Sequence, residues 1–142
     1  MNGIDKLNIA CELLNRSLLL YYAGDSYFAS LHLAGAAEEI LGVYVKKSGD
    51  ESSYETICSA TVLLSKYLSD DGEGSKSKEI GDLMNHAKNN TKHGHGLISF
   101  DPEKKTRDIL DRAITNYYFL MNHHNLQETE LIHRFNQEVV NA

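Results

Sequence analysis

Between Ile4 and Tyr21 the apolar residues Ile4, Leu7, Cys11, Leu14, Leu18 and Tyr21 fall at spacings that alternate between three and four. That period is the seam of a helix lying lengthwise on another helix, whereas a strand would need period two. Only Pro102 interrupts the chain in 142 residues, so long helices can run unbroken. The spacing and the scarcity of proline predict an all-α fold, an antiparallel bundle of about five main helices.

The chain reads as one domain over residues 1–142, with a core over about 4–122 and a C-terminal helix over about 128–140. Ala23-Gly24-Asp25-Ser26 ends the first helix, with glycine at the C-cap and Asp25 or Ser26 capping the next. The second helix, about Ser26 to Lys47, places Glu38 inside its apolar arc and Glu39 on the polar side beside His32. A carboxylate at a packing edge needs a cation or hydrogen-bond donors. Gly35 and Gly42, on one face, would let a neighbouring helix come close. A third helix carries Tyr54, Ile57, Thr61, Leu64 and Leu68 as a core stripe, followed by a solvated, mobile-looking segment from Asp70 to Ser75. The fourth helix, about Lys78 to His93, turns Ile80, Leu83, Met84 and Ala87 inward. Leu97 to Phe100 is a short extended piece. Asp101-Pro102-Glu103 opens the fifth helix, which runs to about Asn122 with Asp108 and Arg112 as a surface i,i+4 pair.

Charge narrows the function. The formal net charge of −6 supplies no cations for generic coating of double-stranded DNA. The run Leu18 to Tyr22 is too short to span a bilayer, and the charged residues Asp5, Lys6, Glu12 and Arg16 break any secretory core. Cys11 and Cys58 have no metal spacing and make no disulfide framework, so a cytoplasmic, membrane-free protein is expected. The densest chemistry lies in Asn85-His86-Ala87-Lys88-Asn89-Asn90-Thr91-Lys92-His93-Gly94-His95, which holds three of the seven histidines. Metal binding there would use His86, His93 and His95, with Glu130-Leu131-Ile132-His133 as a further source of ligands. A di-iron bundle needs two such Glu-x-x-His motifs and more glutamates, so no metal or other cofactor is assigned. Metal-free phosphodiester chemistry needs an imidazole near neutrality and a cation on phosphate, and this helix offers both. On an ideal helix Lys88 and His93 lie about 140° apart, so a second helix or a two-fold copy would have to complete a site built on both. The helix's end gives Lys92 and His93 a simpler role as well, as cap and dipole partners ahead of glycine.

Three blocks carry a family likeness: Leu33-Ala34-Gly35-Ala36-Ala37-Glu38-Glu39-Ile40-Leu41-Gly42, Lys88-Asn89-Asn90-Thr91-Lys92-His93, and Asp111-Arg112-Ala113-Ile114-Thr115-Asn116-Tyr117-Tyr118. Over roughly Tyr27 to Leu120 the chain resembles the small stand-alone HEPN-domain proteins of prokaryotes. The resemblance implies an HEPN-like helical bundle that forms a homodimer, and in many members a metal-independent ribonuclease. It matches His93 to the family's motif histidine, Asn89 to the polar residue after the motif arginine, and Lys88 to the arginine itself. Lys88, Asn89 and His93 would then be catalytic, Lys92, His95 and Asn85 would bind nucleic acid, and Glu38 would support the site. Lysine keeps the charge but lacks the planar fork of arginine. The alternative implied is a non-catalytic module that binds RNA, a nucleotide or a partner such as a nucleotidyltransferase, as in a toxin–antitoxin or defence pair.

Overall fold

The computed structural model describes residues 3–68, 76–92 and 96–142. The mobile-looking segment of the sequence, Asp70 to Ser75, and the residues His93 and His95 lie outside them. Seven helices and no strand are found among the described residues: α1 (Lys6–Ala23), α2 (Tyr27–Lys47), α3 (Ser53–Leu68), α4 (Ser77–Met84), α5 (His86–Lys92), α6 (Pro102–Met121) and α7 (Glu130–Val140). None of the helices is long and apolar enough to cross a membrane.

The caps explain most of the boundaries. The Asp5 carboxylate accepts from Leu7 N–H and starts α1, while Gly24, at a left-handed φ of 78°, ends it by donating to the Leu20 carbonyl. Asp101 accepts from Glu103 and Lys104 N–H ahead of Pro102, as the sequence implied for α6. Ser26 precedes α2 but makes no side-chain cap bond.

α1 and α2 form an antiparallel hairpin. Its contacts step in opposite directions along the two helices: Asp5 with Tyr44 at one end, Ser17 with Ser30 in the middle, and Tyr21 with Tyr27 at the turn. Ser17 and Ser30 are fully buried. Each hydroxyl donates to the other residue's carbonyl at 2.7 Å, so two polar groups enter the core without leaving a donor unpaired. α6 runs beside α2 in the same direction, with Thr106 at Tyr27, Arg112 at Glu38 and Asn116 at Gly42. The bundle is therefore not antiparallel throughout, because α3 to α5 carry the chain back before α6 begins. Leu14, Leu18, Leu31, Leu41, Leu110 and Leu120 fill the core between α1, α2 and α6, and Ile132 and Phe135 of α7 close it.

Two helical expectations are corrected. The stripe on α3 is not core: Ile57, Leu64 and Leu68 are exposed, and Cys58 is the buried apolar residue of that helix. α3 packs on α4 and α6, and polar ties hold it to α6 and α2: Ser53 N–H donates to Asn116, and Glu55 pairs with Lys46. The single fourth helix is two, broken at Asn85, and Leu83 points outward. We expect Leu110→Ala to cost about 2–5 kcal/mol in denaturant unfolding and Leu64→Ala to stay within about 0.5 kcal/mol. Equal losses would place α3 in the same core.

Candidate functional site

α2 presents a stripe at helical spacing, His32, Gly35 and Glu39, to the antiparallel helix α5. Thr91 hydrogen-bonds His32 at 2.8 Å, one end of that contact. In the middle, the Lys88 stem lies across Gly35, where an added Cβ would sit 2.6 Å from Lys88 Cδ. Only glycine leaves room for that path, which fits the close approach anticipated at Gly35. The Lys88 ammonium then reaches the Glu39 carboxylate. Lys88 is buried, with 7% of its side chain exposed, whereas Glu39 is 64% exposed. Lys88 is thus turned into the protein, its stem covered along α2 and its head on one carboxylate.

Beside this contact is a cleft of about 410 Å³ between α2, the start of α3, the α4–α5 joint and α6. Glu38, Glu39, Lys88, Asn85, Tyr54 and Asn116 lie along it. Charge there is balanced in pairs: Lys88 with Glu39, Lys46 with Glu55 at 2.8 Å, and Arg112 with Glu38 at 2.6 Å. The last pair is buried on both sides, so the expected surface pairing of Arg112 with Asp108 is not made. Arg112 faces inward because Glu38 already stands in the apolar arc of α2 and would otherwise be an isolated buried charge. Burial pushes the Glu38 carboxyl above its ordinary value, with the Arg112 guanidinium pulling against it.

Polar demand in this region exceeds what it satisfies. Asn116 Oδ1 accepts from Ser53 N–H at 2.8 Å and so fixes the start of α3. Its Nδ2, Nη2 of Arg112 and Oδ1 of Asn85 are buried without a hydrogen-bond partner among the described residues. Each such group costs about 1–3 kcal/mol, and three of them at one interface mark it as built for something other than stability. His32 stands at the far end of α5, its imidazole held below its ordinary value by burial and by Lys92 and Lys88 nearby.

Among the residues singled out in the sequence, Lys88, Asn85 and Glu38 come together around the cleft. Asn89 and Lys92 are exposed on α5, away from the Lys88 head. His93 and His95 lie outside the described residues. Arg112, Asn116, Glu39 and His32 belong to the site although the sequence reading did not assign them to it. No group of three or more His, Cys, Asp or Glu among the described residues could hold a metal. His133 of the Glu-x-x-His motif instead hydrogen-bonds Glu128 at 2.6 Å.

Comparison with family models, curated proteins and solved structures finds no match to this chain.

Arg112→Ala leaves Glu38 buried without its cation, and we expect it to cost about 3–5 kcal/mol in chemical unfolding. Gly35→Ala should cost about 1–3 kcal/mol, because a methyl group and the Lys88 stem claim the same space. Unchanged stability in Gly35→Ala would mean that Lys88 does not lie along α2.

Proposed function

We propose that this chain is an HEPN-like domain that binds single-stranded RNA along the α2–α5 face, with a phosphate taking the place of Glu39 on Lys88. The observation that carries the reading is the asymmetry of that ion pair. A buried ammonium needs an anion. The one it has sits on an exposed side chain, free to swing into water, so an anion from outside can replace it with little rearrangement. Lys92 and Asn89, exposed on the same short helix, supply further phosphate contacts. A second copy of the chain would extend this face, and the exposed Ile57, Leu63, Leu64 and Leu83 on the neighbouring helices support such a homodimer.

Cleavage of the bound RNA is the second reading. It is favoured by the same ammonium, since Lys88 is the position that the resemblance matches to the motif arginine, and an anion already rests on it. In that reading Lys88 neutralises the phosphorane and His93 moves the proton.

Anisotropy of a labelled single-stranded RNA in EDTA tests the first reading. We expect Lys88→Ala to weaken binding roughly ten- to a hundredfold, the value of a charge-assisted hydrogen bond, and Glu39→Gln to tighten it. Tightening by Lys88→Ala would overturn the reading. The same RNA on a gel tests cleavage: Lys88→Arg restores the fork and should raise the rate roughly ten- to a hundredfold. A folded Lys88→Arg protein that yields no products, from a parent that yields none, retires the second reading.

A further inference from the structure

We propose that Phe28 and His32 on α2 form a nucleotide subsite that selects RNA over DNA, with a base stacked on Phe28 and the ribose 2′-hydroxyl donating to Nδ1 of His32. This rests on the RNA reading above and adds the group by which the sugar is recognised.

Proton counting at Thr91 leaves the imidazole two arrangements. The Thr91 hydroxyl lies 2.8 Å from His32 Nε2 and also donates to the Lys88 carbonyl at 2.9 Å. A hydroxyl has one proton. Given to the helix carbonyls of Lys88 and Ala87, at 2.9 and 3.2 Å, it leaves the oxygen to accept from His32, so that Nε2 carries the ring hydrogen and Nδ1 keeps its lone pair; given to Nε2, it reverses the tautomer. No described residue is paired with Nδ1. Burial, then Lys92, then Lys88 disfavour a second proton on the ring. In the first arrangement, the one proposed here, His32 is a neutral acceptor at Nδ1, and a 2′-hydroxyl is a donor of the kind it can take.

The surroundings fit a nucleotide. His32 lines a cavity of about 340 Å³ together with Phe28, Asn90 and Thr91. The Phe28 ring is 44% exposed, and Phe100 braces its edge at a centroid distance of 6.4 Å. Phe100 in turn meets His86 edge-on. An exposed ring held by a second ring is a stacking platform for an unpaired base, and stacking ignores the sugar. Lys92, close enough to weaken the basicity of His32, supplies charge for the adjoining phosphate. Base, sugar and phosphate each find one partner on adjacent turns of α2 and α5.

The experiment compares one short sequence as single-stranded RNA, DNA and 2′-O-methyl RNA, measured by anisotropy with the full chain. We expect RNA to bind about tenfold more tightly than the other two, the yield of one hydrogen bond to a group otherwise left unpaired. His32→Ala should bring RNA down to the DNA level and leave DNA unchanged, whereas Phe28→Ala should weaken all three alike. Thr91→Val keeps the imidazole but frees its tautomer, and should lose part of the preference. The preference should fade in acid as Nδ1 is protonated, below the ordinary histidine value of about 6.5. Nitrogen-15 shifts of His32 should show Nε2 protonated; the opposite tautomer would overturn the proposal without any ligand. Equal binding of RNA and DNA, with Lys88 still required, would overturn the sugar contact and leave the phosphate reading standing. No binding of either nucleic acid would remove both.

Discussion

The buried ion pair between Glu38 and Arg112 is the constraint from which the rest of the site follows. Taking two charges out of water costs more than their attraction returns unless both are further hydrogen-bonded. Here they are not: Nη2 of Arg112 has no partner among the described residues, although guanidinium forks usually grip carboxylates with two nitrogens. An apolar pair of the same size would hold α2 to α6 at least as well. The pair's contribution is positional. It fixes the register of two helices running in the same direction, which places Asn116 at Gly42 and brings the start of α3 onto Asn116. The cleft wall is therefore set by polar contacts and not by the shape of an apolar core.

That choice divides the molecule in two. The core of α1, α2, α6 and α7 draws on leucines that are completely buried, and its polar insertions, the paired Ser17 and Ser30, are fully satisfied. Among the described residues α3 and α4 contribute nothing to that cluster, and α5 contributes only Ala87. These helices are held by an ion pair, an amide, a histidine–threonine bond and the close approach at Gly35. Elements with few buried apolar contacts are the ones that open first in a folded protein. The proposed binding face joins α2 of the first layer to α5 of the second, so a ligand there could move α5 without melting the core.

How much of this was legible in the sequence depended on whether the cause was local. Helix existence was legible, since period and caps are local, and so was the start of α6 at Asp101 and Pro102. The anomaly at Glu38 was legible too, but its partner was not, because pairing across two helices depends on register. Even so, a signal was present. At 100° per residue, Asn116 falls about 20° outside the stripe formed by Ile109, Leu120 and Ala113, and Arg112 about 40° further out. Angle alone therefore puts Asn116 at the packing edge of α6, and leaves Arg112 to be drawn in by its partner. The stripe on α3 misled for the opposite reason. Its period is genuine, but an apolar face says that something should cover it and not what does.

The placement of Lys88 shows why composition misjudged the charge of the site. Between Leu83 and Arg107 five basic residues stand against two acids. In the fold each cleft cation already has a carboxylate, so the empty site is close to neutral. A site of that kind attracts anions weakly at long range, and its selectivity comes from exchange at contact. Exchange is easiest where the resident carboxylate gains most by leaving. Glu38 is buried and has nowhere to go, and Glu55 is only partly exposed. Glu39 loses a single partner and regains water. Of the three pairs, the one on Lys88 is therefore the one an incoming phosphate would break.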